Sequence, residues 1–486
     1  MTLGRRPIIA FAPLLFAAIG AAAAWHYANL DLTLSHYDAR GHVIVARRIT
    51  DSLTPGWRQF GALWLPLPHV LNSIPVRWFW NYQTGFSAVA INVLAMAAGL
   101  TALSCWLARR TGSVAAAIAA TTIVLINPNV LYLQSTPMTE PLLFALCWLA
   151  LDAIDRAIDH GPSEMWAGLW LALAVLTRYE AWPITAALVT IAALSRERRH
   201  RLSFFIRMAA WPASAAAVFL LLGRLAMGRW FADAGFFTPD NPAAHQPLLV
   251  LDQIMRGYRE LAGPWLAGIA GVGVAISAWR AKTQRSLRIV LPLALAASVA
   301  LPFIAFFDGH PFRVRYMVPL VAAGGAFLGL ALAAIPRKWH IAASALCALL
   351  AVLTRAPLDR NAPMVIEAQR ERPAQLARAP ITAALAAAYD GTPILASMGS
   401  LGHYMQETSR IGLQLHNYVH EGNGDLWQAA LLSPRTHAGW VLIEGSAEGG
   451  DQLSWMAKRD PNFLAGFSQV AAGGGATLFR RDKLVN

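Results

Sequence analysis

Residues 8–28 read IIAFAPLLFAAIGAAAAWHYA, and shortly after them residues 36–42 read HYDARGH. The first stretch is an apolar run of about 20 residues, the length a helix needs to cross the hydrocarbon core of a bilayer. The second places a carboxylate, Asp38, at the mouth of that run. An acid there is costly to desolvate and marks function rather than packing. The first stretch decides the fold class, and much of the functional reading hangs from the second.

Composition agrees with a membrane fold. The chain has 486 residues, 56% hydrophobic and 14% charged, against about 25% charged in a soluble domain. The net charge of +13 is unevenly spread: from Arg355 onward, twelve Arg and Lys balance twelve Asp and Glu. The whole excess falls in residues 1–354, largely in short connections between apolar runs. That is the positive-inside pattern of a multi-pass membrane protein rather than a basic groove for nucleic acid. Cys105, Cys147 and Cys347 all lie inside apolar runs and offer neither metal spacing nor a disulfide framework.

Eleven runs read as spans: roughly 8–28, 86–107, 113–133, 141–155, 165–178, 181–195, 204–225, 261–279, 288–307, 316–335 and 340–354. With Arg5 and Arg6 in the cytoplasm, the later cytoplasmic connections carry Arg109, Arg110, Arg156, the basic run 196–207, the segment 280–288, Arg337 and Lys338. An odd number of spans then puts residues 356–486 outside the cytoplasm. The small residues Ala22, Ala23 and Ala24 leave a cleavable leader as the alternative reading of the first run, with no change in sidedness downstream.

Four of the segments that fall on the external face in this topology are unusual. Residues 29–85 form a loop far longer than a connector requires and hold Asp38, His42, Arg47, Arg48, Trp57, Trp64, Pro66, Pro68 and His69. Apolar positions from Asp38 to Leu53 recur at helical spacing, which predicts an amphipathic helix lying in the membrane interface. Asp38 and His42, four apart, share one face of it. The second segment, 134–141, carries Glu140, and the third, 177–183, carries Arg178 and Glu180. The fourth, 308–316, carries His310, Arg313 and Arg315. Each has a plainer reading: Glu140 as a helix-starting acid beside Pro141, Arg178 and Glu180 as a local pair, Arg313 and Arg315 as interfacial anchors. Together, acids, arginines and histidines on one face predict an outward-opening cavity. His42 and His69 read as hydrogen-bonding residues, since no spacing demands a metal.

These segments resemble the GT-C superfamily of membrane glycosyltransferases, in particular the bacterial family 39 and aminoarabinose-transferase-like group. The resemblance rests on the order of five elements over most of residues 1–355: His36-Tyr37-Asp38, the 64–69 stretch WLPLPH, the 136–141 stretch TPMTEP, the 176–180 stretch LTRYE, and RYMVP at 315–319. It implies a polyprenyl-phosphate-linked sugar as donor and transfer with inversion on the extracytoplasmic side. The setting it implies is the bacterial inner membrane, with the active face and residues 356–486 in the periplasm. Asp38 is then the base or acceptor-orienting carboxylate. Some relatives carry an adjacent Asp-Glu pair where this chain has one acid, so a divalent metal and the division of acidic roles stay open.

Displacement at a sugar carbon needs a base at the acceptor hydroxyl and cations at the departing phosphate. Arg315 suits the phosphate first, then Arg313 and His310, because a guanidinium fork matches phosphate oxygens. Glu140 is placed to hold acceptor or sugar, and Arg178 with Glu180 to order the cavity. The acceptor (glycan, lipid or protein) is not readable from the sequence. A transporter or flippase is the alternative of another class; it predicts charges at mid-span and internal repeats, whereas here the charges sit at one face. Residues 356–486 mix short strands, near 393–398, 440–444 and 475–480, with helices near 381–389, 425–432 and 451–459, which predicts a small external α/β domain. The glycines of 399–402 and 445–450 read as turns after strands rather than a dinucleotide signature.

Overall fold

The computed structural model describes residues 6–61, 63–158, 163–228, 230, 241–447 and 449–483. Every apolar run folds as a helix or as consecutive helical segments. The first is α1 (Arg6–Asn29), followed in the long loop by α2 (Tyr37–Arg48), α3 (Leu67–Ser73) and α4 (Phe79–Thr84). Next come α5 (Phe86–Thr111), α6 (Val114–Leu125), α7 (Pro128–Gln134), α8 (Glu140–Ala157), α9 (Ser163–Val175), α10 (Ala181–Leu194) and α11 (Arg201–Met227). Then follow α12 (Pro247–Ala262), α13 (Pro264–Gln284), α14 (Ala300–Phe307), α15 (Val318–Leu332), α16 (His340–Thr354) and α17 (Pro363–Ala368).

Among the described residues, five helical stretches are long and apolar enough to cross a membrane, or up to seven if each of two bent pairs is one span. The expected eleven is therefore not the number that length and apolarity support. The bends have local causes. Asn127 caps α7 and Pro128 opens it, so α6 and α7 meet at 68°. Gly263, at φ +82°, and Pro264 turn α12 into α13 by 111°. The α9 and α10 runs, of 13 and 14 residues, are shorter than a straight crossing requires.

Helices approach closely where glycine faces glycine-sized gaps, as lipid-embedded bundles require. A Cβ on Gly99 of α5 would lie 2.4 Å from the Ala145 Cα of α8, and one on Gly273 of α13 would lie 2.0 Å from the Phe327 carbonyl oxygen of α15. Helix α8 is buried along nearly its whole length. At its C-terminal end Asp152 and Asp155 take Arg109 and Arg110 from the end of α5, with Arg156 joining Asp152 at 2.8 Å. Its N-terminal end holds Glu140, about 22 Å away along the axis at 1.5 Å per residue.

The 29–85 loop differs from its expected form. Helix α2 stops at Arg48 rather than Leu53, because the chain turns with the Thr50 and Asp51 amides donating back to the Arg47 carbonyl, and then reaches Pro55 and Gly56 at φ +139°. Nor is α2 a one-sided interfacial helix. Ala39, Arg40, His42, Val43, Ile44, Val45, Ala46 and Arg47 are all buried, because C-terminal residues cover the face that was expected to meet lipid headgroups. Those residues form a five-stranded sheet of β1 (Ile394–Ala396), β2 (Tyr418–Val419), β3 (Trp440–Glu444), β4 (Phe467–Gly473) and β5 (Ala476–Arg481). Its order is β2-β1-β3-β5-β4, with β1 parallel to β2 and β3, and β5 antiparallel to β3 and β4. Gly399 and Gly402 sit inside a helix, Met398–Glu407, rather than in a turn. That helix packs on α2, with Val43, Ile44, Leu401, Tyr404 and Met405 in one apolar cluster.

Arginines of α2 fasten the contact. Arg40 reaches Glu407 at 3.3 Å and Gln375 at 2.8 Å, and Arg47 bonds Asp51 at 2.8 Å and Gln414 at 2.7 Å. Asp51 in turn accepts from the Leu415 and His416 backbone amides.

The α5–α8 contact yields a direct test. Gly99→Val should lower stability by about 1–3 kcal/mol through overpacking, read as a fall in the melting temperature of detergent-solubilised protein. An unchanged melting temperature would mean that α5 and α8 are not in this close contact.

Candidate functional site

Helix α2 begins at His36, whose Nδ1 accepts the Asp38 backbone N–H at 3.1 Å. This cap points the Asp38 side chain away from the helix axis, into the space above α15. The guanidinium of Arg315, in the turn that opens α15, pairs with the Asp38 carboxylate. Their side chains are 10% and 13% exposed, so the pair is mostly removed from water yet not sealed. Tyr37 and Tyr316 flank the guanidinium, with its carbon 5.9 and 5.4 Å from their ring centres. Burial alone pushes the Asp38 carboxyl up. Arg315, with His36 and His42, more than offsets that and brings it down from 3.8 to about 2.

A second charged centre joins the loops before α8 and α10. Arg178 bonds Glu180 at 2.7 Å and the Thr139 hydroxyl at 2.9 Å. It also lies 3.1 Å from Glu140 Oε1, in ion-pair contact but outside hydrogen-bond geometry. Glu140 and Glu180 are 1% and 2% exposed. Both Glu140 oxygens are buried with no hydrogen-bond partner among the described residues, an arrangement that calls for a donor.

His42 stands between the two centres. Its Nδ1 lies 3.0 Å from His69 Nε2, and its ring packs 4.3 Å from that of Trp64. Gly41 is needed beneath that indole, since a Cβ there would lie 2.5 Å from it. Burial and His69 push His42 well below its ordinary value, while Asp38 raises it and Arg178 and Arg315 lower it further. Burial with Arg48 takes His69 down to about 3. Both imidazoles are therefore neutral at working pH. They line a cleft with Asn72, Asn92, Met138 and Thr139.

All four segments expected on the external face thus converge, and hydrogen bonds stitch them together. Tyr179 donates to the Leu63 carbonyl at 3.0 Å, the Leu67 amide to the Leu176 carbonyl at 2.9 Å, and Asn92 to the Thr136 and Met138 carbonyls. The other two expected phosphate ligands, His310 and Arg313, belong to the segment that leads into α15. His310 turns its Nδ1 to the Pro311 carbonyl at 2.7 Å and its Nε2 to the Tyr316 hydroxyl at 3.3 Å, because the 308–311 turn folds back on α14. Arg313 lies within electrostatic reach of Tyr37. The sequence reading missed Glu367 of α17, 7% exposed, which accepts the Val314 backbone N–H at 3.0 Å. Glu367 belongs to no motif; its only signal is an acid soon after the last apolar run. Among the described residues no group of three or more His, Cys, Asp or Glu side chains could hold a metal ion. Asp38 is engaged by Arg315, and Glu140 shares Arg178 with Glu180, so the oxygen-rich set that a hard divalent cation takes is not assembled here.

No family model matches the sequence, and no curated protein does. Solved structures do match. ArnT from Cupriavidus metallidurans superposes over 96% of this chain and 97% of its own, at 13% identity, with a TM-score of 0.59 bound to undecaprenyl phosphate and 0.60 in the apo state. The Archaeoglobus fulgidus oligosaccharyltransferase covers 98% of this chain and 75% of its own, at 12% identity and a TM-score of 0.53. At such identities the likeness is one of fold, which this chain shares with these proteins over nearly its whole length.

Proposed function

We propose that the protein is a membrane glycosyltransferase that moves a sugar from a polyprenyl-phosphate carrier to an acceptor on the extracytoplasmic face, with inversion. The observation that carries this reading is the Asp38–Arg315 pair at the meeting point of four loops. It supplies a carboxylate and a guanidinium side by side, the two groups that displacement from a phosphate leaving group requires. The GT-C fold supports it, as does the bound undecaprenyl phosphate in one of the similar structures. The placing of charge at the ends of α8 and at the start of α15, rather than at mid-span, favours an enzyme over a transporter.

In the reaction the acceptor hydroxyl oxygen attacks the anomeric carbon and its proton passes to Asp38. The bond from that carbon to the phosphate oxygen breaks, its electron pair stays on the phosphate, and Arg315 holds the resulting polyprenyl phosphate. An apolar groove supports a lipid-borne donor. It is small and lies between α6, α12, α13 and α15, lined by Val124, Tyr258, Leu266, Val321, Gly324 and Leu328. Glu140, buried without hydrogen-bond donors, and the neutral His42–His69 pair are placed to take sugar or acceptor hydroxyls. While Arg315 grips Asp38, the carboxylate is a weak base. A phosphate that shares the guanidinium weakens that grip, so the arriving donor prepares its own base.

Asp38→Asn should cut turnover of a polyprenyl-phosphate sugar by about 10²–10⁴-fold, the usual worth of a general base, while polyprenyl phosphate still binds. Arg315→Ala should weaken that binding by about 10- to 100-fold, from loss of a charge-assisted hydrogen bond. Full turnover by Asp38→Asn removes the assignment of the base, and unchanged binding by Arg315→Ala removes the phosphate site.

A pH profile gives a separate test. The Asp38 carboxyl is held below its ordinary 3.8, so the ionised base persists above that value and is lost only as pH falls through about 2. In Arg315→Gln burial acts with less opposition, and the acid limb of residual kcat/KM should move upward. A limb that stays in place would show that Arg315 does not set the charge state of Asp38.

A further inference from the structure

Two residues outside every expected role converge on the Asp38–Arg315 pair. His36 is 1% exposed, and its Nδ1 accepts the Asp38 backbone N–H. An imidazole cannot accept at both nitrogens, and a backbone amide can only donate, so the proton of His36 sits on Nε2. That nitrogen faces two groups: Arg315 Nη1 at 3.4 Å and Glu367 Oε1 at 3.8 Å. A guanidinium has no acceptor, which leaves the Glu367 carboxylate, within ion-pair range but beyond hydrogen-bond distance, as the acceptor that the Nε2 proton faces. The other Glu367 oxygen accepts the backbone N–H of Val314, the residue before Arg315.

One carboxylate thus ties the first turn of α2, which carries Asp38, to the turn that carries Arg315. Glu367 is itself held in place. The Met364 amide of α17 donates to Asn129 at 3.0 Å, and the Ser35 hydroxyl, just before α2, donates to the Ala368 carbonyl at 3.1 Å. Burial pushes the Glu367 carboxyl up, yet His36, Arg315 and Arg370 hold it below its ordinary value, as expected of an anion that faces cations and donors.

We propose that Glu367 and His36 are positioning residues that aim the Arg315 guanidinium at the phosphate of the lipid-linked donor. The assignment rests on the functional reading above. It makes α17, beyond the last membrane helix, part of the phosphate site. In Glu367→Gln the amide oxygen can still accept from Val314, but the amide nitrogen then meets the Nε2 proton of His36, donor against donor. His36 must abandon either that contact or its cap on Asp38. His36→Asn keeps a cap oxygen for the first turn of α2 and loses the reach to Glu367, together with the ring's contacts with Arg315 and Tyr37.

The test measures polyprenyl phosphate affinity and melting temperature of the full chain in detergent for Glu367→Gln, His36→Asn, the double variant and Arg315→Ala. Each single variant should weaken affinity about tenfold, and the double variant no more than either single one, because both act through the same guanidinium. Wild-type affinity in both single variants, or losses that simply add in the double, overturns the proposal, whatever happens to the melting temperature. If Glu367→Gln does not fold, His36→Asn alone decides by the same threshold. Arg315→Ala separates the two levels: unchanged affinity there defeats the functional reading itself. Weakened affinity there, beside intact Glu367→Gln and His36→Asn, defeats only the positioning role.

Discussion

The cost of removing charge from water governs this structure. Asp38 and Arg315, 277 positions apart, are tolerated in a mostly dry setting because each neutralises the other. The same constraint produces the Glu140–Arg178–Glu180 centre and, at the far end of α8, the knot of Asp152 and Asp155 with Arg109 and Arg110. Between these ends the bundle is apolar, so the charged groups mark its two boundaries. At one boundary Asp152 and Asp155 are both matched by arginine. At the other the matching is incomplete: Glu140 is buried beside an arginine that already serves Glu180, and neither of its oxygens receives a hydrogen bond from the described residues. Such a group is expensive to keep in a resting protein, and it is the kind of group a polar substrate satisfies.

Helix α2 gives the site its rigidity. It is clasped between the membrane bundle and the helix Met398–Glu407, and buried arginines on it reach Glu407, Gln375 and Gln414. A surface helix would leave Asp38 free to swing. Buried on most sides and capped by His36, this one presents the carboxylate in one place. The C-terminal region therefore does more than cover the bundle, since through α17 and the sheet it sets where the acid and its guanidinium partner stand.

Several elements were legible in the chain and others were not. The helices over 86–111, 201–227 and 340–354 follow from apolar length, and the strand at 440–444 from a β-rich apolar run. Strands β2 and β4 escaped notice, one for being two residues long and the other because Ser468, Gln469 and Val470 lie exposed on a sheet edge. Hydropathy reads eleven runs, whereas length and apolarity admit five described stretches, or up to seven with the bent pairs, because runs such as those of α9, α10 and α16 form helices of only 13 to 15 residues. In the site, Asp38, Glu140, Arg178, Glu180 and Arg315 could be picked out because a charge beside an apolar run is conspicuous. His310 was picked out by the same rule, and its ring is engaged by Pro311 and Tyr316 instead.

The sequence by itself determined that the chain enters a membrane and that acids and arginines gather at one end of its helices, because hydropathy and charge are properties of residues. Which arginine meets which acid was decided only by tertiary structure. An ion pair depends on the distance between two side chains, and neither Asp38 nor Arg315 carries any mark of the other. The same holds for Glu367 and His36. Their part in the site arises from one carboxylate placed between a backbone amide and an imidazole, a geometry that exists only once α17 has packed against the start of α2 and α15.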